Sequence, residues 1–236
     1  MSCQKQPKIL VGCPTYIGKQ YCWQHYVGAV KALTYNNKDV LIVDNSKTDE
    51  YYHKIKKDLP TIKDEFLQNA KDRIVHSRNL LREKVLNEEY DYFLSLEQDV
   101  IPPKNIIEAL LNHGKKIVTA VYLHYQKTTN GKLAPAVLAY KKVGLNDAGE
   151  NIVQPYSPQE IIGKGLVLVS SCGMGCLLIH RDVLENVRFR HVPGKKSFDD
   201  IWFCIDAKKA GYNIYCDGNC VCGHVVQRPK QRNSSL

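Results

Sequence analysis

The sequence lacks long apolar runs. None of its 236 residues belongs to a run approaching the roughly 20 apolar residues that a membrane-spanning helix needs. The N-terminal stretch MSCQKQPKILVG lacks a signal-peptide layout, because its apolar part is short and continues into a strand pattern. No repeat or low-complexity linker divides the chain. We therefore expect a cytoplasmic protein with one domain over residues 1–226 and a basic, flexible tail over residues 227–236.

Paired CxxC knuckles are also missing, although the chain has nine cysteines. An odd number of cysteines without a secretion signal favours free thiols. The segment CDGNCVCGH has zinc-type ligands, but its spacing is unusual for zinc and no second half lies elsewhere; these ligands are Cys216, Cys220, Cys222 and His224. We interpret these cysteines as small hydrophobic residues of a strand, with a structural zinc site as the alternative.

Positive charge is in excess, since 33 Lys and Arg face 24 Asp and Glu and give a formal charge of +9. Such an excess favours anionic partners, namely nucleotide phosphates, nucleic acid or an acidic membrane face. The alternative is a solvated, lysine-rich surface, because the lysine pairs are scattered along the chain. No RNA-binding aromatic signature accompanies them, so we expect no nucleic-acid partner. Peripheral contact with an anionic membrane stays open.

Strand and helix patterns alternate along the chain. Strands are predicted at Lys8–Cys13, where Pro14 ends the run, and in KDVLIVDNS, DYFLSL, KIVTAVYL, GLVLVSSCGMGCLLIH (one or two strands) and YNIYCDGNCVCGHV. Helices are predicted around Trp23–Leu33 and in DRIVHSRNLLREKVLNE, PPKNIIEALLNHG and SFDDIWFCIDAKKAG. This order predicts an α/β fold with a mostly parallel central sheet and helices on both faces. Ligands of such sheets bind outside the carboxyl ends of the strands.

Polar groups stand at those strand ends. The first two strands end in Pro14-Thr15-Tyr16 and Asp44-Asn45, and a third ends in Glu97-Gln98-Asp99. On an extended chain residues two apart face the same way, so Glu97 and Asp99 would share one side and Gln98 the other. Either the strand has reached solvent, or the two carboxylates hold a cation. Hard oxygen ligands suit Mn²⁺ or Mg²⁺.

The order of these segments resembles the nucleotide-sugar-dependent glycosyltransferases with the GT-A fold, and especially their family-two-like members. The resemblance extends from Lys8 to Val226 and is carried by VGCPTY, LIVDNSKTD, VHSRNLLRE, FLSLEQDV, CGMGCLLIHRDVLE and FDDIWFCIDAKKAGYNIYCDGNCVCGH. Two departures stand out. Glu97 begins the acidic triplet where Asp is commoner, and Asp199-Asp200 replaces the commoner Glu-Asp pair.

The resemblance implies a donor site. Asp99 would bind the divalent cation directly, His224 would be a second metal ligand, and Glu97 would contact ribose or a metal-bound water. A lone histidine is more often structural, which is the alternative for His224. The nucleobase and ribose would lie against Pro14, Thr15, Tyr16 and Asp44, with Tyr16 stacking on the base. Asp44 equally fits an Asx turn.

Two further features, the helix arginines and a glycine-rich segment, each have two possible interpretations. Arg73 and Arg78 lie at or near a helix start that faces the same cleft, and one of them would contact base or phosphate; the alternative is that each lies on the solvated face of the helix. The segment CGMGC, Cys172–Cys176, would line the acceptor side or form a bulge in the core.

The acidic pair carries the reaction hypothesis. By resemblance to inverting members, Asp200 would be the general base that removes the acceptor hydroxyl proton, with Asp199 beside it. The alternative is a helix capping box formed by Ser197-Phe198-Asp199-Asp200.

The sequence thus predicts a metal-dependent hexosyltransferase with Mn²⁺ or Mg²⁺. The donor would be a UDP- or GDP-sugar, and the acceptor a hydroxyl of a glycan, lipid or protein. Alternatives are a non-catalytic sugar-nucleotide or glycan-binding module and a sugar-phosphate nucleotidyltransferase. The second lacks support, because GCPTYIGKQ is a poor match to that class's glycine-rich loop.

Overall fold

A computed structural model describes residues 6–127, 130–145 and 151–227. The tail expected at residues 227–236 lies outside this part of the chain, apart from its first residue. Among the helices of the described residues, none is both long enough and apolar enough to cross a membrane.

The elements follow one another in the order that the sequence predicts, with several additions. The first half contains β1 (Ile9–Thr15), a 3₁₀ turn (Ile17–Cys22), α1 (Trp23–Lys31), β2 (Lys38–Asp44), α2 (Glu50–Ile55), β3 (Thr61–Lys63), α3 (Ala70–Asn87), β4 (Tyr92–Leu96), β5 (Val100–Ile101), α4 (Ile106–Leu111) and β6 (Ile117–Val121). The second half contains β7 (Leu123–Lys127), β8 (Leu133–Val137), β9 (Ala139–Leu145), β10 (Asn151–Pro155), α5 (Pro158–Ile161), β11 (Leu166–Val169), β12 (Ser171–Cys172), β13 (Cys176–His180), α6 (Arg181–Asn186), α7 (Asp199–Lys209), β14 (Ile214–Val221) and β15 (Gly223–His224).

A mixed eight-stranded sheet forms the centre, in the order β11-β14-β6-β13-β4-β1-β2-β3. β13 and β11 run against the direction shared by the other six strands. Side chains of β1 alternate between two cores, with Val11 in one and Leu10 in the other. Helices α1, α2 and α4 cover the first core, and α3, α6 and α7 cover the second. The predicted α/β architecture with helices on both faces is confirmed.

The end of β1 differs from the prediction, because the strand continues through Pro14 to Thr15. Pairing of β1 with β4 stops at Gly12, whereas pairing with β2 continues to Thr15. Thr15 accepts a hydrogen bond from the Asn45 N–H on the β2 side, so Pro14 faces the side where no strand pairs. The missing N–H of Pro14 therefore costs no bond between strands.

The glycine-rich segment divides its region into three strands, β11, β12 and β13, where one or two were predicted. Side chains at Gly173 or Gly175 would collide with the Tyr122 ring and hydroxyl, and the Gly175 N–H donates to that hydroxyl. Met174 between them is 2% exposed. Of the two interpretations of CGMGC, the structure has the core packing.

Parallel pairing of β1, β2 and β4 aligns Thr15, Asp44 and Leu96 at one edge of the sheet. α3 lies close to this edge, because Gly12 leaves room for the side chains of Phe93 and Leu81. The short pairing of β15 with β5 places His224 opposite Val100 and thus beside Asp99.

Candidate active site

A cleft of about 290 Å³ opens at the carboxyl ends of β1, β2 and β4. It is lined by Pro14, Thr15, Tyr16, Lys19, Asn45, Ala70, Arg73, Ile74, Glu97 and Phe198. Five predicted donor-site residues therefore meet here, namely Pro14, Thr15, Tyr16, Arg73 and Glu97. Asp44, Asp99, Asp199, Asp200 and His224 are not among the lining residues.

Two exposed aromatic rings belong to the cleft wall. Tyr16 is 46% exposed and Phe198 is 47% exposed, although both are large apolar side chains. A side chain at Gly18 would overlap the Tyr16 ring, so this glycine lets the ring lie over the 3₁₀ turn. Exposed aromatic faces in a cleft are suited to stacking with a planar base or the apolar face of a sugar.

Asp44 is fully buried and its carboxylate is already occupied. One oxygen accepts from the Ser46 N–H at 3.1 Å and from the Ser46 hydroxyl at 2.5 Å, which is the predicted Asx turn. The other oxygen pairs with the Lys63 ammonium at 2.9 Å. The next residue, Asn45, is the one that lines the cleft.

A hydrogen-bonded chain orients Asn45. The Ser77 hydroxyl donates its only hydrogen to the Asp64 carboxylate at 2.6 Å. It must therefore accept from Asn45, whose Nδ2 lies 3.0 Å away. This assigns the amide orientation, and it leaves the Asn45 carbonyl oxygen as the acceptor for an incoming group.

Arg73 lies at the start of α3 and keeps its guanidinium against local groups. It donates to the carbonyl of Leu67 at 2.5 Å and to that of Gln68 at 3.0 Å. It also lies 4.8 Å from the centre of the Phe66 ring, in cation–π contact. One positive charge is thus held at the rim of the cleft.

Arg78 lies one turn and a half further along α3 and is 1% exposed. It connects two acidic residues of the site, Glu97 and Asp199. Its guanidinium donates to Glu97 at 2.5 Å and to the Ser95 hydroxyl at 2.8 Å. It also forms an ion pair with Asp199 at 2.6 Å. Because Asp199 is 1% exposed, this arginine links the end of β4 to the start of α7 inside the protein.

Asp99 lies in the turn after β4 and is held by two basic groups. Its Oδ2 is 2.5 Å from the Lys19 ammonium and 3.6 Å from His224 Nε2. Burial alone would raise the pKa of Asp99, but His224 and Lys19 outweigh burial and lower this pKa to about 2. Asp99 is therefore a carboxylate over the whole physiological range.

The ring of His224 is fixed in orientation by a backbone carbonyl. Nδ1 lies 2.7 Å from the oxygen of Leu123, which can only accept, so Nδ1 carries the hydrogen. Nε2 then faces Asp99. The Asp99 carboxylate raises the pKa of His224, against the effect of burial. A histidine oriented in this way through its second nitrogen is typical of metal ligands.

The fit of a divalent cation rests on these two side chains. Within residues 6–127, 130–145 and 151–227, no group of three or more His, Cys, Asp or Glu side chains converges as a metal site. However, Asp99 Oδ1 is buried and has no hydrogen-bond partner, and His224 Nε2 points at the same carboxylate. Mg²⁺ sites commonly use one or two carboxylates and complete the shell with substrate phosphates. Asp99 offers such a carboxylate, and His224 offers a second donor beside it. Asp99 and His224 fit such a site.

Asp200 occupies the first turn of α7, half-buried. The capping box expected from Ser197 is not formed, because Phe198 is the N-cap and makes no side-chain cap. Asp200 instead accepts from the Ile201 N–H at 2.7 Å. Burial, with repulsion from Asp199 and Glu97, raises the pKa of Asp200 to about 6. A carboxylate with such a pKa is suited to accept a proton near neutral pH.

Lys19 is missed in the sequence, whereas Asn45 is identified only as part of a strand end and Arg78 as a helix arginine facing the cleft. The structure instead buries Arg78, so it lies neither in the cleft nor on a solvated face. The sequence contains a signal for the burial of Arg78, because Arg78 falls on the helix face that Ile74, Leu81 and Val85 mark as apolar. A charged residue in that position needs a buried partner. Lys19 is one of many scattered lysines, and no sequence pattern distinguishes it.

Comparison with known proteins rests on structure. Neither a protein-family model nor a curated protein sequence matches the chain. Over 95% of its length the chain is similar to GalNAc-T7 in a crystal structure with UDP, GalNAc and Mn²⁺, with a TM-score of 0.65 and 10% sequence identity. The chain covers 45% of that protein, less than half of its length. It is also similar to A197 from STIV, with a TM-score of 0.51 and 14% identity over 93% of this chain and 86% of that one.

At these identities the similarity shows the fold, and the predicted GT-A fold class is confirmed. No match bears on the family-two-like resemblance, which stays a prediction. The roles of individual site residues also stay predictions.

Proposed function

We propose that this protein is a glycosyltransferase that transfers a hexose from a nucleotide diphosphate sugar to a hydroxyl acceptor. The observation that carries the proposal is the convergence of Asp99 and His224 beside the cleft. Asp99 keeps one oxygen without a partner, and His224 has its second nitrogen fixed toward that carboxylate. A buried carboxylate and an oriented imidazole next to a cleft with two aromatic walls are suited to a cation and a nucleotide diphosphate.

The donor would lie in the cleft with its base beside Asn45 and Tyr16. The Asn45 carbonyl oxygen would accept a hydrogen bond from the base, and the Tyr16 ring would stack on it. Arg73 and Lys19 would face the diphosphate. Asp44 would act through the turn that it holds, because its own carboxylate is occupied by Ser46 and Lys63.

A divalent cation, Mn²⁺ or Mg²⁺, would be held by Asp99 and His224. When bound, it would neutralise charge on the diphosphate and assist its departure. Similarity to a protein crystallised with Mn²⁺ supports this part of the proposal without testing it.

The reaction would be an inverting displacement with Asp200 as general base. The acceptor oxygen would form a bond with the anomeric carbon as the bond from that carbon to the diphosphate oxygen breaks. The electron pair of the broken bond would leave with the nucleotide diphosphate, and the acceptor proton would move to Asp200. The raised pKa of Asp200 and its position outside any capping box support this role. Asp199 would not share the proton transfer, because it is buried in its pair with Arg78.

A panel of nucleotide sugars tests the proposal. The protein is incubated with UDP- and GDP-sugars and Mn²⁺, and release of nucleotide diphosphate is measured by chromatography. Release from at least one donor, lost in Asp200→Asn, is the expected result. Tight binding of nucleotide diphosphate without release from any donor would instead favour the non-catalytic binding module.

A further inference from the structure

Lys19 extends from the 3₁₀ turn after β1 to the carboxylate expected to bind the cation. Its ammonium is 2.5 Å from Asp99 Oδ2, and 27% of its side chain is exposed. The same residue lines the cleft. Lys19 therefore stands between the carboxylate and the space where the donor diphosphate would lie.

The turn that carries Lys19 is fixed by Gln98, the residue before Asp99. The Gln98 amide donates to the Lys19 carbonyl at 2.5 Å, and its oxygen accepts from the Tyr51 hydroxyl at 3.0 Å. The Thr15 hydroxyl also donates to that oxygen. Gln98 is 1% exposed, so its buried side chain connects the segment after β4 to the 3₁₀ turn through hydrogen bonds. These hydrogen bonds hold the Lys19 backbone near Asp99, whereas the Lys19 side chain has a long stem that can adopt other conformations.

The Lys19 ammonium and a divalent cation would compete for the carboxylate of Asp99. The ammonium lies on Asp99 Oδ2, which is also the oxygen nearest to His224 Nε2. A cation bound by both Asp99 and His224 would therefore meet the lysine charge at close range and be repelled by it. The four-carbon stem of a lysine allows its ammonium to swing away when another anion attracts it.

We propose that Lys19 is a displaceable counter-ion that makes cation binding depend on the nucleotide diphosphate. Without nucleotide, Lys19 neutralises Asp99 and keeps the divalent cation out. When the diphosphate enters the cleft, Lys19 moves to it and leaves Asp99 to the cation. This inference rests on the proposed function for the identity of the diphosphate, whereas the competition at Asp99 stands on the geometry alone.

The test is the affinity for Mn²⁺ alone, measured by calorimetry on the full chain. We expect Lys19→Met to bind Mn²⁺ at least about 10-fold more tightly than the unchanged protein, because the competing charge is gone. Lys116→Met is the matched control. Lys116 also pairs with an aspartate, Asp182, but it precedes the amino end of β6, whereas the cleft lies at the carboxyl ends of strands that run in the same direction, so its loss should leave Mn²⁺ affinity unchanged. Adding Asp99→Ala to Lys19→Met should abolish the gain.

A second measurement examines the coupling to nucleotide. UDP and GDP are each titrated with and without Mn²⁺ into the unchanged protein and into Lys19→Met. The factor by which the metal raises nucleotide affinity is then compared between the two proteins. By linkage, nucleotide raises metal affinity by the same factor. We expect this factor to be several-fold larger in the unchanged protein than in Lys19→Met.

Equal Mn²⁺ affinity in the unchanged protein and Lys19→Met would overturn the inference, as would equal coupling factors. If Lys19→Met does not fold, judged by its melting curve, Lys19→Gln replaces it and carries the same expectations. Failure of the proposed function is distinguishable, because absence of sugar transfer leaves the Mn²⁺ titration unaffected.

Discussion

The guanidinium of Arg78 lies 2.6 Å from the carboxylate of Asp199, and each residue is 1% exposed. This ion pair joins α3 to the first turn of α7. Because Arg78 also contacts Glu97, one buried arginine connects Glu97 in the cleft wall with Asp199 of the acidic pair. The proposed base, Asp200, would therefore depend for its position on a buried ion pair of its neighbour Asp199.

Arg78→Met should destabilise the protein strongly. It leaves Asp199 as an unpaired buried charge, and breaking a buried pair on one side typically costs about 3 to 5 kcal/mol of unfolding free energy. Urea denaturation measures the loss. Arg73→Met is the control, because its guanidinium sits at the cleft rim, and it should lose about 1 kcal/mol or less. Similar small losses for both variants would contradict the structural role of Arg78.

Asp200→Asn should lower the rate of transfer by roughly 10²- to 10⁴-fold, the usual range for general-base catalysis. Affinity for nucleotide diphosphate should hardly change, because Asp200 does not line the donor cleft. Steady-state kinetics and calorimetry separate the two effects. A variant that transfers sugar at near the unchanged rate would exclude Asp200 as the base.

The same substitution should stabilise the protein at neutral pH. The folded pKa of Asp200 is raised from 3.8 to about 6, so the fold disfavours its ionised form. Well below pH 3.8 the carboxyl is protonated in both the folded and the unfolded state and imposes no penalty, whereas the penalty grows between pH 3.8 and 6 and is complete well above pH 6. Asp200→Asn should therefore raise the free energy of unfolding by about 1 to 2 kcal/mol at pH 7.5, discounted for partial exposure, and should leave it almost unchanged at about pH 3.

The acid limb of the rate profile provides an independent readout of Asp200. Transfer should fall as the pH drops through about 6, where Asp200 takes up a proton. Burial is the main cause of the raised pKa, and repulsion from Asp199 is the next. Asp199→Asn should therefore move the acid limb to lower pH, with a smaller effect on the maximal rate. An unmoved limb in Asp199→Asn would mean that a different group limits the rate.

The sequence predicts the alternation of elements and the polar strand ends because both follow from local periodicity. The sequence does not predict features that depend on contacts between distant segments of the chain. Pro14 remains within β1 because pairing with β4 has already ended at Gly12, and no local pattern reveals where that pairing stops. Asp44 and Asn45 are neighbours, and Asp44 is occupied partly by Lys63 at the end of β3, a contact that no local pattern reveals.

Asn45 and Asp44 should therefore respond differently to substitution. Asn45→Ala removes an acceptor at the cleft and should weaken nucleotide diphosphate binding by about 10-fold, the order expected for one hydrogen bond. Asp44→Asn should mainly lower stability, because it breaks the buried pair with Lys63. Calorimetry and melting curves on both variants distinguish the roles. If folded Asp44→Asn lost as much nucleotide affinity as Asn45→Ala, Asp44 would also have to contribute to recognition of the base.

The central claim is that the cleft binds a nucleotide diphosphate together with a divalent cation at Asp99. The most direct measurement is calorimetric titration of UDP and of GDP into the protein, with Mn²⁺ and with EDTA, repeated on Asp99→Ala. The account predicts much tighter binding of one nucleotide with Mn²⁺ than with EDTA, and loss of that difference in Asp99→Ala. Equal affinity with and without metal in the unchanged protein would contradict it.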